Sequence, residues 1–236
     1  MIACVLVLLL SGKLGSLEMI ILPVVIPVVS GFIGLMILPF VSHITKALGA
    51  MIHSFTELNP LLMSILIAMT YALLMVTPIS LVAIATAISL SGLGSGAANL
   101  GIVAACVTFI WGSLPVNKAG VNIVLIIGAA KMMIPVYFKH LIIAVPLALN
   151  GLVAGLVAYF IGIQGTPMSA GFGYTGLVGP INAFNRMEGD SFTNIVLLAF
   201  GYFIIPFVSG FIIHQVCKRI LPGYNNEIYK FDIPKQ

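Results

Sequence analysis

The chain has 236 residues, of which 61% are hydrophobic and 7% charged, and its formal net charge is +4. Its 10 basic and 6 acidic side chains cannot coat a globule of that length, so a soluble fold is excluded and the surface has to meet lipid. A small positive charge in such a chain serves the orientation of its loops and is no sign of nucleic-acid binding.

Residues 58–117 and 141–185 contain no Asp, Glu, Lys or Arg. A helical crossing needs about 20 apolar residues, so these two stretches hold about four crossings, or fewer crossings with re-entrant hairpins. Strands of a transmembrane barrel alternate with period two, whereas 141–148 and 195–205 are apolar on every face. The expected class is therefore all-α: a polytopic transmembrane helical protein with about six membrane-embedded segments.

In chain order, the opening MIACVLVLLL lacks a basic region and a cleavage site, so it reads as the end of a membrane helix whose beginning is absent. SGKLGSLE is a polar turn. Residues 19–40 form a span carrying Pro23, Pro27 and Pro39. Residues 41–58 place Val41, Ile44, Leu48, Met51, Ile52, Phe55 and Leu58 at helical spacing and Ser42, His43, Lys46, His53 and Glu57 elsewhere. That predicts a separate amphipathic helix.

The apolar run 61–90 is too long for one untilted crossing, and Thr77-Pro78 divides it. The glycine and serine cluster 91–101 then predicts a re-entrant tip or broken helix, leaving 101–113 as a half-helix. Asn117, Lys118, Gly120 and Asn122 open a helix that contains Lys131 and closes at Pro135, Lys139 and His140. Residues 141–163 are a clean span with Pro146 and Asn150 inside it. The second cluster, 164–184, is rich in Gly and Pro, which exclude a regular helix, and it predicts a second re-entrant segment. Residues 192–217 are the last span, and 218–236 have soluble composition. Lys218, Arg219, Lys230 and Lys235 place that tail in the cytoplasm. The domain reading is a membrane domain over 1–217 and a cytoplasmic tail over 218–236.

Paired uncharged glycine-rich clusters are a mark of discontinuous transporter helices. ELNPLLMSILIA (57–68), GSGAANLG (94–101), VNKAG (116–120), AAKMMIPVYFKH (129–140) and QGTPMSAGFGYTGLVGPINA (164–183) together resemble the enzyme IIC membrane subunits of the bacterial sugar phosphotransferase system. The branch is the one that includes proteins labelled as toxin (perfringolysin) regulators. The resemblance runs from about Leu14 to Ala183. It implies a carrier in the bacterial cytoplasmic membrane that takes a sugar or polyol inward for phosphorylation by separate soluble IIA and IIB proteins, and it allows a homo-oligomer. Because members of the branch are longer at the N-terminus, it also implies that leading helices are missing. The regulator label leaves a rival reading, a membrane sensor without net transport. Its tail would recruit a cytoplasmic protein through Tyr224, Tyr229 and Phe231.

Candidate solute ligands follow from chemistry. Glu57 is the only acid between Glu18 and Glu188, and a carboxylate accepts hydroxyl hydrogen bonds strongly. His53 is one turn earlier on the same helix face. Asn59, Asn99, Asn150, Gln164, Thr166 and Ser169 are neutral donors and acceptors in or beside the interrupted segments. For the asparagines, bonding between helices is the rival role. Lys131 either snorkels to an interface or donates to a buried acceptor. The expectation is that Glu57, His53, Asn99 and residues 164–169 share one polar cavity. Cys4, Cys106 and Cys217 are scattered without a CxxC pair, and no metal-binding spacing, nucleotide loop or hydrolytic triad motif is present. The tail holds no phosphorylatable Cys or His, so any phosphoryl chemistry belongs to another polypeptide, and no cofactor is expected.

Overall fold

The computed structural model describes residues 18–231. The predicted opening helix end and the turn after it lie outside those residues. The chain divides into two compact units, one up to Ala47 and one from Leu48.

The first unit is part of α1 (Glu18–Thr56), a continuous helix of 39 residues. Its exposed apolar side chains include Val28, Phe32, Met36 and Phe40, as a lipid-facing helix requires. Hydroxyls along it are satisfied by its own backbone: Ser30 donates to Ile26 O at 2.5 Å, Ser42 to Pro39 O at 2.8 Å and Thr45 to Val41 O at 3.0 Å. The expected division near residue 40 is absent, because a proline in an apolar helix is tolerated where local groups re-satisfy the backbone. The predicted amphipathic segment is the C-terminal part of the same helix. In the second unit its last turns bury Ile52 and half-bury Leu48 and Phe55, a spacing of four and three residues that forms one stripe.

The second unit is built around α4 (Gly92–Ser113), which is almost wholly buried. The glycine cluster predicted to break the chain is instead the first half of this 22-residue helix. Packing overrides propensity here. A Cβ on Gly96 would meet the carbonyl oxygen of Ile163, and one on Gly101 would meet that of Ala68, so glycine allows both neighbours to touch the α4 backbone. No half-helix exists at 101–113. The interruption falls earlier: α2 (Pro60–Leu74) ends before Pro78, a short α3 (Leu81–Ala87) follows, and Ser89 takes a positive φ of 52° before α4 begins.

Around α4 stand α2, α7 (Ala144–Ile161) and α10 (Ile205–Ile220). Four helical stretches among the described residues are long and apolar enough to cross a membrane: Val24–Thr56, Gly92–Ser113, Leu141–Ile161 and Ser191–Ile220. The third is the clean span expected from sequence. The fourth joins α9 (Ser191–Ala199) to α10 through a π-turn at Phe200–Ile204. Residues 117–140, expected as one helix, form α5 (Ala119–Ile126) and α6 (Ile134–Lys139), separated by Gly128 at φ +108° and a 310 turn at Ala130–Met133.

Helix directions follow from the contacts. α7 runs antiparallel to α4, since Asn150 bonds Ala104 and Thr108 while Ile163 reaches Gly96. α9 and α10 run parallel to α4: Gly201 packs on Ile163, Ser209 bonds Asn150, and Trp111 Nε1 donates to Phe207 O. α2 is antiparallel to α7, with Gly155 against Ile65 and Gly151 against Met69. The starts of α2, α4 and α9 therefore share one end of the bundle with the end of α7.

That end carries Glu57, Arg186, Glu188 and Asp190. The opposite end carries Lys118, Lys139, Lys218, Arg219 and Lys230, with Glu227 among them. At this basic end residues 222–231 fold back on the bundle: Tyr224, Ile228 and Tyr229 are buried, and Asn117 Nδ2 donates to Tyr229 O at 2.8 Å. Tyr224 and Tyr229 thus point inward, and only Phe231 of the three proposed docking aromatics is partly open.

Candidate functional site

Residues 163–177 at the acidic end are irregular, as their glycines and prolines demand, and α8 (Val178–Phe184) follows. The segment is fastened to α4 rather than solvated. Gly92 and Gly165 exchange N–H···O bonds of 3.0 Å in both directions, and Ser95 Oγ donates to Thr166 O at 2.7 Å. One turn further along α4, Asn99 Oδ1 accepts from Gly173 N at 3.1 Å and Gly171 N at 3.4 Å. Gly171 has φ +131° and Gly173 φ +58°, values that L side chains rarely adopt. The chain can therefore reverse and aim two N–H groups at one side-chain oxygen.

Thr166 and Ser169 close a local turn on each other. Ser169 Oγ accepts from Thr166 N at 3.0 Å, and Thr166 Oγ1 accepts from Ser169 N at 3.2 Å. Ser169 Oγ also lies 3.2 Å from Asn182 Oδ1 on α8. Gln164 is exposed beside this knot and lines a cleft of about 470 Å³ with Arg186, Glu188 and Asn194. Ser95, Asn99, Thr166, Ser169 and Asn182 make a cluster of neutral hydrogen-bonding groups at the contact of a buried helix with an irregular segment. Among the described residues, Arg186 and Glu188 are the charged side chains that line the cleft with Gln164.

Of the residues expected at the site, the structure brings together Asn99, Thr166 and Ser169, with Gln164 at the edge. It does not join His53 and Glu57 to them. Both are exposed at the end of α1 and the turn that follows, and among the described residues the His53 imidazole meets Thr56, whose Oγ1 lies 3.4 Å from Nδ1 and donates to His53 O at 2.6 Å. Asn59 caps α2 by accepting from Leu61 N at 3.0 Å. Lys131 Nζ donates to Ile79 O at 2.6 Å, so a lysine closes one of the carbonyls freed near Pro78. Asn150 is fully buried: Nδ2 donates to Ala104 O at 3.0 Å and Thr108 Oγ1 at 3.3 Å, and Oδ1 accepts from Ser209 Oγ at 2.7 Å. These bonds tie α4, α7 and α10. Asn150→Ala should lower the unfolding free energy by about 1–3 kcal/mol, the cost of leaving buried partners unmade, as a fall in the thermal midpoint of the purified protein. Unchanged stability would remove this tie.

Sequence reasoning missed Ser95, Asn182, Arg186, Glu188 and Asn194. Ser95 was within reach: it stands four residues before Asn99, and had 91–101 been read as helix the two would have fallen on one face. Asn182 had no comparable signal.

A family model described as phosphotransferase system, EIIC, matches residues 1–231. No curated protein and no solved structure matches the chain. With an all-α polytopic fold around one buried helix and a family match across nearly the whole sequence, the chain belongs to the EIIC family, the membrane permease component of the phosphotransferase system.

Proposed function

We propose that this chain binds a neutral carbohydrate or polyol at the acidic end of the bundle and passes it across the membrane to soluble phosphotransferase proteins of the IIA and IIB kind. The observation that carries the reading is the neutral cluster of Ser95, Asn99, Thr166, Ser169 and Asn182. Hydroxyl groups need paired donors and acceptors in a site of low dielectric, and they need no compensating charge. Irregular backbone at membrane depth is tolerated where it lines a solute path. His53 and Glu57 stand outside this proposed site because they share no hydrogen bond with it. The motifs it shares with the branch containing toxin regulators support placing the chain in that branch. The inward-facing Tyr224 and Tyr229 speak for transport over tail-mediated sensing.

Uptake of radiolabelled D-mannitol, D-glucitol, D-glucose and D-galactose should be measured in cells expressing the chain, with and without the soluble phosphotransferase proteins. Uptake that requires both supports the proposal; no uptake of any of the four overturns it.

The basic end is proposed to face the cytoplasm, with the tail, because Lys118, Lys139, Lys218, Arg219 and Lys230 gather there. Glu227 is exposed in that tail. A cysteine introduced by Glu227→Cys should be labelled by a membrane-impermeant maleimide in inside-out vesicles and spared in intact cells. Labelling in intact cells would reverse the orientation.

A further inference from the structure

Three buried side-chain polar atoms have no hydrogen-bond partner among the described residues: Tyr71 Oη, Asn99 Nδ2 and Tyr202 Oη. Asn99 and Tyr202 flank the same piece of chain. Asn99 Oδ1 holds Gly173 N at 3.1 Å. A Cβ on Gly179 would meet both the carbonyl oxygen of Gly173 and, at 3.1 Å, Cε1 of Tyr202. Next to them, Tyr174 stacks on Phe203 with ring centroids 5.8 Å apart. The hairpin of residues 171–179 is therefore held between α4 on one side and the π-turn on the other.

The π-turn has a local cause. Pro206 lacks the N–H that an α-helix would donate to Tyr202 O, and its ring crowds that carbonyl. The helix widens over Phe200–Ile204, which adds a residue to the turn, and Tyr202 within it is fully buried. Single π-turns in α-helices recur at functional sites. A buried hydroxyl left unmade is costly, and nothing in the packing of the turn requires one, since phenylalanine would fill the same space.

We propose that Tyr202 Oη and Asn99 Nδ2 are the donor pair for hydroxyl oxygens of the transported solute, which makes Tyr202 a specificity-determining residue. This rests on the carbohydrate or polyol reading given above. Both atoms are sealed in the arrangement seen, so the solute reaches them when the 171–179 hairpin shifts, and positive φ at Gly171, Gly173 and Gly176 concentrates backbone freedom there. The ligand class is a neutral polyhydroxylated molecule. An anion would be held here by neutral donors alone, without an ionised partner.

The test is calorimetric titration of the purified full chain and of Tyr202→Phe with D-mannitol, D-glucitol, D-glucose and D-galactose. The variant should keep or raise its thermal midpoint, because an unsatisfied hydroxyl is removed, and should bind about tenfold more weakly. Monodeoxy forms of the probe that binds supply a second measurement. One of them should lose affinity for the wild type and lose nothing further in Tyr202→Phe. Equal affinity of wild type and variant, or no coupling to any probe hydroxyl, overturns the assignment of Tyr202 while the carbohydrate reading stands. Failure of all four probes to bind the wild type overturns the carbohydrate reading itself, and the Tyr202 assignment with it.

Discussion

Gly101→Ala should lower the unfolding free energy of the detergent-solubilised chain by about 1–3 kcal/mol, the usual cost of adding a methylene to a packed interior. Gly96→Ala should do the same. The new methyl at position 101 is driven into Ala68 O on α2, and at position 96 into Ile163 O beyond α7. A flexible side chain could move aside; a backbone carbonyl cannot without displacing its helix. Gly120→Ala is the control, because a Cβ there meets nothing within 4 Å. In the first turn of α5 it should be neutral or stabilise by up to about 1 kcal/mol. Thermal unfolding followed by circular dichroism would separate the three. Equal midpoints for wild type and Gly101→Ala would mean that α2 and α4 are not in backbone contact.

The same contact explains where reading the sequence stopped short. Glycine and serine in 91–101 mark low intrinsic helix propensity, and propensity alone argues for a break. What decides the outcome is a partner surface distant in sequence, Ala68 and Ile163, whose carbonyls need the room. The span at 141–161 was legible because its residues are apolar on every face and little else competes. The irregular backbone of 164–177 was legible because its glycines and prolines cannot all be helical, whereas the helix at Val178–Phe184, which carries Gly179 and Pro180, was not expected. Within the site, Asn99 and Thr166 stood out as polar residues in apolar surroundings, but their pairing through Gly173 and Ser95 depends on where the hairpin lands. Glu57 drew notice by its isolation along the chain. In space it sits on an exposed turn, where a carboxylate is well hydrated and needs no partner.

The segment 218–231 looked soluble by composition, yet its buried half joins a polar network that reaches α4 and α10. Lys218 Nζ is a donor only, and it lies 2.7 Å from Asn226 Oδ1. That fixes the amide, so Asn226 Nδ2 donates to Gly112 O at 3.1 Å and to His214 Nε2 at 3.1 Å. With Nε2 accepting, Nδ1 carries the imidazole proton and donates to Tyr224 Oη at 2.8 Å, and Tyr224 donates in turn to Tyr229 Oη at 2.7 Å. Burial raises the pKa of both Tyr224 and Tyr229, so both phenols stay protonated and the chain of donors is preserved.

Tyr229 is the keystone of that network. Its ring lies on the face of Gly112, where a Cβ would strike it, and meets Phe109 edge-on at 5.8 Å and 73°. Tyr229→Ala should cost about 3–5 kcal/mol, the scale for deleting a buried aromatic ring. Tyr229→Phe keeps the ring and removes one hydrogen bond, so it should cost about 1 kcal/mol. The two variants divide packing from hydrogen bonding, and thermal midpoints of the full chain measure both. The alanine variant should also expose the amides of 224–231 to hydrogen exchange, because the tail loses the side chain that closes it on α4. Exchange protection that survived Tyr229→Ala would show that Asn117 and Asn226 hold the tail without the ring, and the tyrosine would then be filling space that the fold does not depend on.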